Sequence, residues 1–294
     1  MRSLCRFLYA LLCLAVASLP ARAQDAATAD ANPGAITVTA SADVVSTYMF
    51  RGIRQNATGI AIQPFADVGV SFLSGGTDGV SSVGVNIGTW NSLHSGDTGA
   101  DAPSGNMWYE QDFYTTLSLG FGATSVGTTF TAYTSPNAGF TTVRELAFRV
   151  AYDDAPLSGR AALRPYGIVA FEFLAEPGVG QADGGEEAGT YLELGVGPAF
   201  AAGPVTVVLP IRLGMSLSNY YELRGPTGSV ISDERFGYFS AAGLGTVPLG
   251  QPSRFGAFNL HGGLEYQRLG DTTRAFNGGD QNQFIWSLGI GIAY

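Results

Sequence analysis

The C-terminal segment constrains the fold more tightly than any other part of the chain. Phe284, Trp286, Leu288, Ile290, Ile292 and Tyr294 alternate with Ile285, Ser287, Gly289, Gly291 and Ala293. One register is wholly large and apolar, the other mostly small. Period-two alternation of this length is a β-strand whose two faces meet different environments. A helix would place residues three and four apart on one side and mix the two sets.

The same pattern recurs along the chain. Phe113, Thr115, Leu117, Leu119 and Phe121 oppose Asp112, Tyr114, Thr116, Ser118 and Gly120. Leu146, Phe148, Val150 and Tyr152 oppose Glu145, Ala147, Arg149 and Ala151, and Phe258, Leu260, Leu264 and Tyr266 oppose Asn259, His261, Glu265 and Gln267. Val205, Val207, Leu209, Ile211, Leu213, Met215 and Leu217 form another such face. Twelve strands are predicted, over 35–50, 60–73, 80–92, 107–121, 126–134, 143–153, 161–174, 189–200, 205–218, 235–247, 255–268 and 282–294. Short Gly- and Pro-rich connections (74–79, 122–125, 154–160, 201–204, 248–254) alternate with mostly longer ones (51–59, 93–106, 135–142, 175–188, 219–234, 269–281). An even strand count with that alternation predicts an all-β fold, a transmembrane antiparallel up-and-down β-barrel with both termini at the short-turn end.

Charge placement is an independent check. With the face of Tyr294 taken as outward, the opposite face carries Asp43, Asp67, Glu110, Asp112, Glu145, Arg149, Glu172, Glu193, Arg212 and Glu265. Arg144, Arg254 and Arg268 have outward parity but sit at strand ends. Lipid outside and water inside would select this segregation, because an arginine at the bilayer midplane costs about 2–4 kcal/mol. A soluble sandwich would be charged outside and dry within. Tyr48, Trp108, Tyr109, Tyr152 and Tyr266, at strand–loop junctions, read as aromatic girdles.

The N-terminus reads as a secretory signal peptide. Arg2 and Arg6 precede the apolar stretch Phe7 to Ser18, and Ala21-Arg22-Ala23 supplies a small-residue cleavage site before Gln24. The expected organisation is a signal peptide over 1–23, a short periplasmic tail over 24–34 and a barrel over 35–294. Cys5 and Cys13 both fall in the signal, so the mature chain has no thiol for disulfides, metal sites or nucleophilic chemistry. All 15 basic residues are arginine. Without Arg2, Arg6 and Arg22, 12 remain against 24 Asp and Glu, which disfavours a nucleic-acid partner. A Lys-dependent phosphate loop is impossible.

The run Ser46-Thr47-Tyr48-Met49-Phe50-Arg51-Gly52-Ile53-Arg54-Gln55 resembles the opening signature of the TorF-like porins, a conserved proteobacterial outer-membrane family of unknown function. Their usual form is approximately S-N-Y-x-F-R-G-x-S-Q, from which Thr47 and Arg54 depart. Glu110-Gln111-Asp112-Phe113-Tyr114 is similar to the family's acidic-aromatic strand. Tyr133-Thr134-Ser135-Pro136 with Arg144-Glu145-Leu146 is similar to its Tyr/Pro loop and following strand. The match covers roughly the first half of the chain and implies a porin-like barrel. The final strand, ending on Tyr294, likewise resembles the signal recognised by the barrel-assembly machinery, through Phe284, Trp286, Leu288, Ile290, Ile292 and Tyr294.

These readings predict a Gram-negative outer-membrane protein exported through the Sec pathway, in contact with lipid and lipopolysaccharide. It would pass small hydrophilic solutes through an acidic lumen lined by the ten charged residues above with Arg51 and His261, and prefer cations modestly. The alternative is a closed structural or surface-binding barrel, with Phe65, Trp90, Tyr114 and Tyr191 pointing inward and filling the bore. Arg51-Gly52 reads either as an arginine at the channel mouth or as one paired with a lumen carboxylate that holds the first hairpin. No cofactor, metal or enzymatic activity is expected. His94 lies in a loop; His261 faces inward, away from lipid, and is four residues from Glu265, roughly 13 Å along a strand. Glu110 and Asp112 could bind a cation or hold Arg149 or Arg212. The acidic loop 176–187 (Glu176, Asp183, Glu186, Glu187) could bridge divalent cations.

Overall fold

The structure, a computed structural model, describes residues 34–76, 79–97, 106–173 and 187–294. The expected signal peptide, nearly all of the tail, and Glu176, Asp183 and Glu186 of the acidic loop lie outside the described residues. Twelve antiparallel spans follow one another around a single sheet. They are β1 (Ile36–Val45), β2 (Ala61–Ser74), β3 (Ser82–His94), β4 (Trp108–Phe121), β5 (Thr124–Thr134), β6 (Val143–Tyr152) and β7 (Tyr166–Phe173). Then come β8 (Thr190–Val196, resuming as Ala199–Ala202), β9 (Val205–Val208, resuming as Ile211–Ser218), β10 (Phe236–Pro248), β11 (Ala257–Leu269) and β12 (Asn282–Ala293). β1 pairs β12 from Thr39↔Ala293 to Val45↔Ser287, and the Tyr294 N–H donates to the Val38 carbonyl at 2.8 Å. The sheet is therefore a closed barrel with no free edge.

The strand faces behave as the alternation requires. On β12, Phe284, Trp286, Leu288 and Ile290 are exposed, while Gln283 and Ile285 are buried. On β4, Phe113, Leu117 and Phe121 are exposed, and Glu110, Asp112 and Thr116 are buried. An apolar belt faces out and polar residues face in, the inverse of a water-soluble core.

Three departures from the sequence reading have identifiable causes. β1 ends at Val45 rather than 50, because residues 46–60 turn into the barrel. The connection before β7 is longer than expected: helix α1 (Ala155–Ser158) and a 3₁₀ turn (Gly159–Ala161) occupy it. The Asp154 carboxylate organises this turn by accepting the Leu163 and Arg164 N–H groups at 3.0 and 2.9 Å, which hold its carboxyl below the usual carboxylate range. Finally, β8 and β9 are each interrupted, at Gly197-Pro198 and Leu209-Pro210. The registers Val196↔Ile211 and Ala199↔Val208 set the two breaks opposite each other, where proline cannot donate to the ladder.

Two girdle assignments are corrected. Tyr48 and Tyr109 are only 8% and 9% exposed and pack inside the barrel, whereas Trp108 and Tyr152 are exposed. Tyr266 packs at a tilt against Phe284, with centroids 5.2 Å apart, on the outer surface.

Candidate functional site: the barrel interior

The connection 46–60 shapes the interior. After β1 the chain forms a minimal hairpin, Met49–Phe50 with Ile53–Arg54, and its tip is Arg51-Gly52. Both tip residues have positive φ, 48° and 83°. At Gly52 a Cβ would also lie 3.1 Å from the Tyr238 ring, so glycine is required there twice over.

β1 and β7 are diametrically opposite in a twelve-stranded ring, and the tip reaches that far wall. The Arg51 guanidinium donates to both Glu145 carboxylate oxygens on β6, at 2.5 and 2.8 Å, and to the Tyr220 hydroxyl at 2.8 Å. It lies 4.1 Å from the Tyr191 ring centroid on β8. The Tyr221 hydroxyl donates to the Arg51 carbonyl at 2.8 Å, and Asn277 donates to the Gly52 carbonyl at 2.8 Å. Asn277 follows helix α2 (Asp271–Phe276) in the connection 270–281. Burial opposes the charge on Arg51, but Glu145, Tyr220 and Tyr133 together more than offset this, and the guanidinium stays protonated. Burial pushes the Tyr220 and Tyr221 hydroxyls up, so both remain donors. Of the two readings of Arg51, the geometry is that of the arginine paired with a lumen carboxylate.

A buried tyrosine cluster supports the tip. Tyr191, Tyr220, Tyr221 and Tyr238 are at most 2% exposed. Glu193 accepts hydroxyl bonds from Tyr166, Tyr191 and Tyr238 at 2.8, 2.7 and 2.8 Å. The near side of the loop is fixed separately. Asn56 accepts the Tyr48 N–H at 2.6 Å, and Tyr109 donates to the Gln55 side chain at 2.6 Å.

The charged residues expected on the lumen face lie on the inner side of the barrel. Arg212 donates to Glu265 at 2.5 Å, and His261 Nε2 lies 2.7 Å from Asp43. Asp67 accepts from Asn86 at 2.5 Å, and Glu172 from the Gly189 N–H at 2.9 Å. Arg149 sits 4.6 Å from the Tyr166 ring centroid. Glu110 and Asp112 are buried together, with Asp112 Oδ1 lacking a hydrogen-bond partner among the described residues; Arg212 is held by Glu265 instead. His261 and Glu265 have separate partners and share no site. In the acidic loop, Glu187 is described and accepts from Asn219 and Arg224 at 3.0 and 3.1 Å. Sequence reading missed the tyrosine cluster and the contact of His94 Nε2 with Ser92 Oγ at 3.0 Å. Ser92 and His94 are two apart on one strand face, a legible pairing; Tyr220 and Tyr221 lie in a connection, where period-two parity says nothing.

No family model matches the chain, and no curated protein matches. Its fold is similar to the COG4313 outer membrane channel of Pseudomonas putida F1, with TM-score 0.48 and 11% identity over 92% of this chain and 100% of that one. It is similar also to the transport unit of the autotransporter AIDA-I from Escherichia coli, with TM-score 0.44 and 10% identity over 100% and 97%. The outer membrane phospholipase of Salmonella typhi gives TM-score 0.42 and 10% identity over 86% and 90%.

Proposed function

We propose that this chain is an outer-membrane channel for passive diffusion of small hydrophilic solutes, mildly cation-preferring, whose conductance is held low by its inward-folded first connection. The observation that carries the reading is the segregation of charge in a closed barrel. Eight carboxylates (Asp43, Asp67, Glu110, Asp112, Glu145, Glu172, Glu193, Glu265) and three guanidiniums (Arg51, Arg149, Arg212) face inward, while the spans present aromatic and aliphatic side chains outward. A carboxylate excess along a narrow path favours cations. The signal-peptide pattern, the terminal aromatic strand and the resemblance to TorF-like porins support Sec export and assembly into the outer membrane.

The test is single-channel recording of the refolded mature protein in a planar bilayer, with reversal potential under a salt gradient. Discrete openings with modest cation preference are expected. A folded, heat-modifiable barrel without conductance would sink the channel reading in favour of a closed barrel acting through its long connections. The depth of the first connection's insertion favours that second reading. Strong anion preference would overturn the selectivity alone.

The membrane placement has its own test. Leu264 is 70% exposed near the middle of β11. Leu264→Arg is expected to cost about 2–4 kcal/mol of folding stability in lipid vesicles. Asn259→Arg, of inward parity on the same strand, is expected to cost clearly less. Equal effects in urea titrations would contradict a lipid-facing outer belt.

A further inference from the structure

The first connection does not fill the barrel. Beside it remains a cavity of about 270 Å³, bounded by residues of β1–β4 and β9–β12. One wall is aromatic: Phe65 on β2, Trp90 on β3 and Tyr114 on β4. Phe65 and Trp90 are direct cross-strand partners, and Tyr114 is paired with Gly88, whose missing side chain makes room for the ring. The other wall, beyond β1 and β12, carries a polar strip of Arg212, Glu265 and Gln267 beside Pro210, Ala242 and Leu244.

That polar wall has unused hydrogen-bonding capacity. Arg212, Ser240 and Gln267 all donate to Glu265 Oε1, at 2.5, 2.5 and 2.9 Å, which leaves Oε2 of a side chain 20% exposed. Gln267 is 4% exposed, and its Oε1 is fully buried without a partner among the described residues. Such an atom is unfavourable unless something supplies a donor. The Gln63 amide adds donors and an acceptor at the same cavity.

Charge here is nearly balanced. Arg212 offsets Glu265, and Asp43 is engaged by Ser41 and His261. A simple cation would need only carboxylates and would leave three rings unexplained. A wholly apolar molecule would leave Gln267 Oε1 stranded, and an organic cation would meet Arg212. Donors and acceptors facing an aromatic wall suit a molecule with an apolar face and several hydroxyls. The volume falls just below the usual range for drug-sized ligands, roughly 300–1,000 Å³, so the occupant is one small ring.

We propose that this cavity is a binding subsite for a neutral polyhydroxylated ring the size of a monosaccharide, with its apolar face on Phe65, Trp90 and Tyr114 and its hydroxyls on Gln267, Glu265 and Gln63. The proposal rests on the channel reading for the route by which the solute arrives, but binding is measured without conduction. In a Trp108→Phe/Trp286→Phe background, Trp90 is the one remaining tryptophan of three. The refolded mature protein would be titrated with D-glucose, D-galactose, D-xylose and myo-inositol, and with choline as a cationic probe. A saturable change in Trp90 emission with at least one of the four ring compounds is expected, at least tenfold weaker in Gln267→Leu. No saturable response to any of them, a response to choline alone, or unchanged affinity in Gln267→Leu would overturn the subsite. Conductance on the same preparation separates the two ideas. Conductance without binding removes the subsite alone; binding without conductance removes the channel reading and leaves the subsite.

Discussion

Arg51→Ala is expected to raise mean single-channel conductance several-fold. The tip of the first connection is held across the barrel by backbone bonds from Tyr221 and Asn277 and by a guanidinium that satisfies Glu145 at two oxygens, bonds Tyr220 and lies over the Tyr191 ring. Bidentate, charge-assisted bonds are the strong class, and Arg51 is largely buried, with a side chain 14% exposed. Removing one partner of a buried pair costs about 3–5 kcal/mol when the other stays buried. Here the strain can be relieved by releasing the loop, which lets water reach Glu145. Glu145→Gln should act in the same direction more weakly, since the amide oxygen still accepts from arginine. Arg54→Ala is the control. Arg54 pairs with Asp280 at 3.3 Å, and Asp280 is 65% exposed, so the pair contributes little and conductance should hold. If a folded Arg51→Ala barrel conducts as the parent does, the loop does not limit the path.

Glu193→Leu should be the most destabilising lumen substitution. Glu193 is the acceptor for three tyrosine hydroxyls that are nearly sealed from solvent. Each stranded hydroxyl costs about 1–3 kcal/mol. Tyr191 and Tyr238 keep their mutual contact at 3.0 Å, so the total loss is expected at about 3 kcal/mol or more. Glu193→Gln keeps one acceptor oxygen and should lose less than half as much. Urea unfolding in vesicles, followed by tryptophan emission, measures both. A Glu193→Leu barrel as stable as the parent would mean the cluster is wet and the hydroxyls are served by water.

The barrel itself was legible because period-two alternation survives in nearly every span, and because charges away from the strand ends fell on a single parity. Even the Phe236–Pro248 strand, the weakest in pattern, lies within a residue of its expected limits. Parity also placed Glu145 and Glu193 correctly on the inner face. It could not say which partner each would take, because partners across a lumen are fixed by closure rather than by spacing. Tyr48 and Tyr109 illustrate the limit. Tyr48 lies just past the end of β1 and Tyr109 at the start of β4, where girdle aromatics are expected, yet both turn inward against the first connection, which folds beneath the rim. The proline breaks were likewise visible as residues but not as a matched pair, since their opposition depends on register.

The ring closes between β1 and β12, the two strands farthest apart in the chain. Bringing such distant segments together carries the largest loop-closure entropy of any ladder here, and it cannot be offset by local contacts. The tip at Arg51 depends on residues as late as Asn277, so its seat is complete only when the last connection has formed. The seat of the tip is therefore built from segments that become complete only near the end of the chain, just before the strand that closes the ring.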